Sequence, residues 1–132
     1  MSTGDRSGGD MAATMRLRAI TLDCADPLAL AAFYQRATGL EPHPRSGADF
    51  AGLLGADGLL IGFQRVDDYR PPRWSGQAVP QQCHLDFAVD DLDEAESRLL
   101  RLGASRPDHQ PDEGRWRVLN DPTGHPFCPV GE

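Results

Sequence analysis

The sequence predicts an α+β fold made of two tandem modules, each running strand, helix, strand, strand, strand. Three observations carry this expectation. Short segments alternate apolar and polar residues with the period of a half-buried strand. Two longer segments place apolar residues at helical spacing between capping signals. The order of elements then occurs twice: Asp26-x-Leu28 returns as Asp90-x-Leu92, and Gly39 returns as Gly103, both at an offset of 64.

In the first module, Leu17–Ala25 alternates. Ile20, Leu22 and Cys24 share one face, while Ala19, Thr21 and Asp23 share the other. A helix follows. Asp26 is a suitable N-cap, Pro27 fits the first helical position, and Leu30, Phe33, Tyr34 and Ala37 supply the apolar stripe up to Gly39. "LEPHP" reads as a short extended piece. "ADFAGLLGADGLLIGFQRV" reads as two strands around a turn near Ala56-Asp57-Gly58. The Pro- and Gly-rich stretch from Asp68 onward reads as a linker in which Tyr69 and Trp74 could close over a cavity.

In the second module, "CHLDFAV" is a strand with Leu85, Phe87 and Val89 on one face and His84, Asp86 and Ala88 on the other. Asp91 caps the next helix, Ala95, Leu99 and Leu102 form its buried stripe, and Gly103 ends it. "ASRPDHQ" is a short strand or extended piece, and "RWRVLN" is a strand. "DPTG" is a type I turn, and "HPFCPV" is an edge or irregular strand because of its two prolines. The expected organisation is a disordered tail over 1–15 and one domain over 16–132. Module one covers 16–67, the linker 68–81 and module two 82–132.

Composition removes several function classes. Apolar residues make up 39% of the 132, so a packed core is feasible. Asp and Glu number 20 against 13 basic residues, a net charge of -7 that disfavours nucleic acid as a partner. All the basic residues are arginine, which rules out Schiff-base chemistry on a lysine. No apolar run approaches the roughly 20 residues of a membrane helix. The absence of a secretory segment, with three cysteines lacking tight metal-motif spacing, suggests reduced thiols in a cytoplasm. Glycine-rich phosphate loops, G-x-S-x-G and H-E-x-x-H are absent from the sequence.

The doubled βαβββ unit, opened in its second copy by "HLDFAVDDL" and closed by "LNDPTGHPFCPV", resembles the vicinal oxygen chelate superfamily. This is the group of glyoxalase I, extradiol dioxygenases, methylmalonyl-CoA epimerase and bleomycin-resistance proteins. The small bacterial glyoxalase-like proteins are the nearest likeness, over about Leu17 to Val130. The resemblance implies curved mixed sheets enclosing a cavity, helices packed outside them, and a homodimer. It also implies one inward metal ligand on the first and fourth strands of each module. Aligned by strand parity, those four positions are Ala19, Gly62, His84 and Cys128. Alanine and glycine offer no side-chain donor, which leaves one imidazole and a thiol read as distant from it. A stable divalent site normally needs at least three protein ligands. No cofactor is therefore expected, with a divalent metal as the alternative.

His84 is the candidate acid, base or ligand-holding group, against the plainer reading of a histidine bonded within the sheet. Asp86 shares its face and could orient it. Gln64 adds an inward amide. Cys128 is inward by parity but, lacking an adjacent base, reads as a small buried hydrophobe rather than a nucleophile. Trp116 is a candidate pocket wall. His43, His109 and His125 read as surface, and Arg98 and Arg101 as a solvated helix face with Glu94 and Glu96. Two function classes stay open. One is a binding module that sequesters a small molecule. The other is a lyase or isomerase in which His84 moves a proton on an oxygen-rich metabolite.

Overall fold

The computed structural model describes residues 15–73 and 83–131. The first module comprises β1 (Ala19–Cys24), α1 (Pro27–Thr38), β2 (Glu41–Pro42), β3 (Phe50–Leu54) and β4 (Leu60–Arg65). The second comprises β5 (Leu85–Val89), α2 (Leu92–Leu102), β6 (Leu119–Asn120) and β7 (Pro126–Gly131). Most of the linker, including Trp74, and nearly all of the N-terminal tail lie outside the described residues.

The helix ends form as their residues require. The Asp26 carboxylate accepts from Ala29 N at 3.2 Å and Pro27 opens α1, while Gly39 closes it at φ 76°, a left-handed conformation that suits glycine. The Asp91 carboxylate accepts from Glu94 N at 3.0 Å at the start of α2.

Both sheets are mixed. The first has the order β1-β4-β3-β2 and the second β5-β7-β6, with the β1–β4 and β5–β7 pairs parallel and the others antiparallel. Alternation sorts the first strand of each module as expected. Leu22 and Cys24 are buried and Thr21 and Asp23 exposed, while Leu85 is buried and His84 and Asp86 are exposed. The helices cover the apolar face of the sheets, and the opposite face carries the polar residues.

The second module departs from the expected strands in three places. "ASRPDHQ" contributes only the bridge Ser105–Asn120. "RWRVLN" is a strand only at its end, so Trp116 is held by a single bridge to Val130 rather than lying in a strand. Pro129 accounts for this. Arg117 N donates to Pro129 O at 3.1 Å, but proline has no N–H to return the bond. The backbone of Val118 turns instead to the Gln110 side chain, whose amide both accepts and donates at 2.9 Å. Third, β7 is not an edge strand; it lies between β5 and β6. Pro126 is tolerated there because it precedes the first β5 pairing, Leu85 with Phe127.

One core joins the two sheets, and α1 is its centre. The ring of Tyr34 stacks on Phe63 of the first sheet, with centroids 5.5 Å apart, and meets Phe127 of the second edge-on at 5.6 Å. Its hydroxyl donates to Asp121 Oδ2 at 2.7 Å in the β6–β7 turn. Burial, reinforced by the Asp121 charge, pushes the Tyr34 phenol well above its ordinary pKa, so it remains a donor. The other oxygen of Asp121 accepts from Thr123 N, Thr123 Oγ1 and His125 N. Asp121 is 2% exposed, and these bonds satisfy a carboxylate that burial would otherwise make costly. His125, expected at the surface, is buried here, with Nδ1 3.1 Å from Pro126 O.

Glu96, expected in the solvated face of α2, is also mostly covered. Arg117 and Arg106 bind its two oxygens at 2.9 and 2.8 Å, and Arg117 reaches Asp93 as well. Burial works against the Glu96 carboxylate, but the hydrogen bonds and charges of the two arginines outweigh it and hold its pKa below the ordinary 4.5. A depressed carboxylate stabilises the fold above its unfolded pKa and loses that contribution as pH falls through the folded value. In urea unfolding, the stability gap between the wild type and Glu96→Gln is therefore expected to be full at neutral pH and to close below about pH 4.5. A gap that stays constant into acid would contradict this assignment.

Candidate functional site

The polar face of the second sheet gathers three chemically different donors. His84 and Asp86 are two apart on β5's line and so project together. Asp86 pairs with Cys128 across the β5–β7 ladder, which puts the thiol on the same face. His84 Nδ1 lies 2.9 Å from Asp86 Oδ1, and one ligand atom from each of the three residues falls within 4.8 Å of the others. The thiol read from the sequence as distant is thus a direct neighbour. That proximity depends on strand pairing, which spacing along the chain does not reveal.

The three side chains differ in exposure. The His84 and Asp86 side chains are 37% and 56% exposed, whereas Cys128 is buried beneath them. Burial, followed by the charge and hydrogen bond of Asp86, pushes the Cys128 thiol up to about 12. At neutral pH it is a protonated thiol, although the sequence reading that no base lies beside it does not hold, because Asp86 and His84 are its neighbours. At that distance a proton on His84 Nδ1 can be donated to the Asp86 carboxylate. In the neutral imidazole this leaves Nε2 as an acceptor toward solvent or a ligand.

The remaining candidates lie elsewhere. Gln64 is exposed on β4 of the other sheet, paired with Asp23 and Phe50. Trp116, half-buried, is bridged to Val130, two residues beyond Cys128 along β7. Tyr69 is half-buried, and its hydroxyl lies buried. A separate cavity of about 360 Å³ opens on the helix side, between α1 and α2. Phe87, Phe127 and Leu99 line it, with Arg98 among them. Sequence alternation had no means of locating a gap between two helices.

The two modules can be compared through register. Thr21 pairs with Gly62 in the first sheet as Asp86 pairs with Cys128 in the second. Ala19 precedes Thr21 by two residues, as His84 precedes Asp86. The alignment from the first strands and that from the last strands therefore meet on the same residues. At Gly62 a side chain could enter only if the Phe50 ring moved: a Cβ would lie 2.9 Å from that ring and 3.1 Å from Thr21 Oγ1.

Residues 19–130 match the family described as the glyoxalase-like domain. The chain belongs to that family. A glyoxalase/bleomycin resistance protein/dioxygenase family enzyme from Burkholderia phytofirmans PsJN shares the fold at a TM-score of 0.65 and 20% identity, over 89% of this chain and 98% of that one. The fosfomycin resistance protein FosX from Listeria monocytogenes, solved with Mn(II) and 1S,2S-dihydroxypropylphosphonic acid, aligns at 0.66 and 24% identity, over 87% and 90% of the two chains. CFP32 of Mycobacterium tuberculosis, provisionally named a glyoxylase, is 32% identical over 99 residues. That match covers 73% of this chain but 36% of CFP32, so the chain spans little more than a third of that relative's length. These likenesses place the chain in the vicinal oxygen chelate superfamily. Among the described residues no helix is long and apolar enough to cross a membrane.

The four-ligand metal centre implied for this glyoxalase-like protein does not fit its residues. Ala19 and Gly62 supply no donor, and Phe50 stands against Gly62 where a side chain would project. The thiols provide a test of the site's electrostatics. Cys24 and Cys128 are buried, with burial pushing them up to about 11 and about 12, whereas Cys83 is exposed. An aromatic disulfide reagent at neutral pH should label Cys83 alone in the native chain and the other two only on unfolding. Fast native labelling of Cys128 would contradict the arrangement.

Proposed function

We propose that this glyoxalase-like protein binds a small, oxygen-rich molecule on the polar face of its second module, without the family's four-ligand metal centre. The observation that carries this reading is the asymmetry between the modules. The same register positions hold His84, Asp86 and Cys128 in one and Ala19, Thr21 and a Phe50-blocked Gly62 in the other. His84 presents Nε2, and Asp86 orients the ring through Nδ1. Trp116 is assigned as a further contact, its indole a wall, and Gln64, on the other sheet, would add its amide only where module pairing brings the two polar faces together. The homodimer implied by resemblance, with modules pairing within or between chains, would close this face into a cavity.

The second reading is catalytic, and the 2.9 Å approach of His84 Nδ1 to Asp86 Oδ1 favours it. A carboxylate that fixes the tautomer and stabilises the imidazolium suits a base that removes a proton from an oxygen-bearing carbon. A lyase or isomerase step would need only that proton to move and return. Sequestration needs the same contacts and no turnover.

A chelator-treated sample titrated with α-keto acids, α-hydroxy acids and alkyl phosphonates tests the reading. In a ¹H–¹⁵N spectrum, a binding compound is expected to shift Asp86, Ala88 and Cys128. His84→Ala should weaken it at least about tenfold, or 1.4 kcal/mol. Shifts confined to Arg98 and Leu99 would move the site to the cavity between the helices and overturn the assignment. Product formation that stops in His84→Ala while binding persists would decide for the catalytic reading.

A further inference from the structure

We propose that His84, Asp86 and Cys128 form a three-ligand site for a thiophilic divalent cation such as Zn²⁺, built from one module alone. The inference rests on the same face as the proposed binding function and names what would anchor a ligand there. It differs from the family arrangement in two respects. It takes no ligand from the first module, and it recruits Asp86, which lies at none of the four aligned ligand positions.

The donor set is the first argument. An imidazole nitrogen, a carboxylate oxygen and a sulfur are the three ligand types that zinc accepts. Ionised Asp86 and a Cys128 thiolate would carry two negative charges, which one divalent cation neutralises. The sulfur discriminates against Mg²⁺, Ca²⁺ and Mn²⁺, which prefer oxygen.

Geometry is the second. Metal–ligand bonds of about 2.0–2.3 Å give tetrahedral edges of roughly 3.3–3.8 Å. The separations here, from 2.9 Å for His84–Asp86 to a limit of 4.8 Å across the cluster, bracket that range. Side-chain rotation alone can then gather the donors. Asp86 is on β5, His84 is two residues before it where the chain enters that strand, and Cys128 lies directly opposite Asp86 on the paired strand, so the backbone need not move.

Exposure is the third. Cys128 forms the floor, while His84 and Asp86 stand at the solvent side. A fourth coordination position would therefore face outward, open to water or to an oxygen of a bound molecule. Three protein ligands with one open position is the pattern of a reactive zinc site rather than a closed structural one. Coordination forms the sulfur–metal bond and breaks the S–H bond, and the proton leaves to solvent.

The test uses the full chain, stripped with chelator and titrated with Co²⁺. The expected result is one cobalt per chain, with a sulfur-to-cobalt charge-transfer band and visible absorption of tetrahedral intensity, both abolished by added Zn²⁺. Cys83→Ser should leave the spectrum intact, and Cys128→Ser should remove the charge-transfer band. His84→Ala alters a side chain at the solvent side, and its fold can be verified by circular dichroism. It should weaken cobalt at least tenfold. Absence of the band, or its loss in Cys83→Ser with survival in Cys128→Ser, would overturn the proposal. Small-molecule shifts at this face without cobalt binding would sink the metal site and spare the binding function; loss of both would sink both.

Discussion

A buried carboxylate that cannot be left unsatisfied holds the two halves of this chain together. Asp121 lies in the turn of the second module and collects three of its hydrogen bonds locally. The fourth comes from Tyr34, 87 residues away on the helix of the first module. The same tyrosine presses its ring against Phe63 of one sheet and Phe127 of the other. A hydrogen bond to a charged group contributes about 1.5–3 kcal/mol, and removing one donor also leaves the acceptor partly unpaired in the interior. The position of β7, and therefore of Cys128, follows from how the turn before it is anchored.

That anchoring lets one repeated unit serve two purposes. Apolar residues of both sheets face the shared core, so the alternating residues must face the other way. In the second sheet those residues are donors. In the first they are alanine, threonine and a glycine closed off by Phe50. The parallel strand pairs β1–β4 and β5–β7 keep the same register, so at these positions the difference between the modules lies in the side chains. A pair of modules that both need their apolar faces for folding can still diverge freely on the opposite face.

Much of this was legible in the chain itself. Period-two alternation placed His84 and Asp86 on the face away from the helices, and Asp26, Pro27, Gly39 and Asp91 marked the helix ends, because both signals are local. Pairing between distant strands is not local. Cys128 could be assigned a face, but its nearness to Asp86 follows from the β5–β7 register. The two prolines of β7 suggested an edge strand, yet the consequence fell on its neighbour, which lost its ladder beside Pro129. Glu96 looked solvent-exposed because nothing nearby in sequence announced Arg117, and His125 because the turn before it, though legible, gave no sign that it packs against Tyr34 of the first module. The hydroxyl of Tyr34 was hidden for the same reason, within an ordinary helical stripe.

Tyr34 and Asp121 act as a coupled pair across the modules. A double-mutant cycle with Tyr34→Phe, Asp121→Asn and the combined variant, read by urea unfolding, tests it most directly. The expected coupling free energy is about 1 kcal/mol or more, with the double variant less destabilised than the sum of the single ones. Additive effects, with coupling indistinguishable from zero, would mean that the two residues stabilise their own modules separately and that the tie between them is not what holds the site in place.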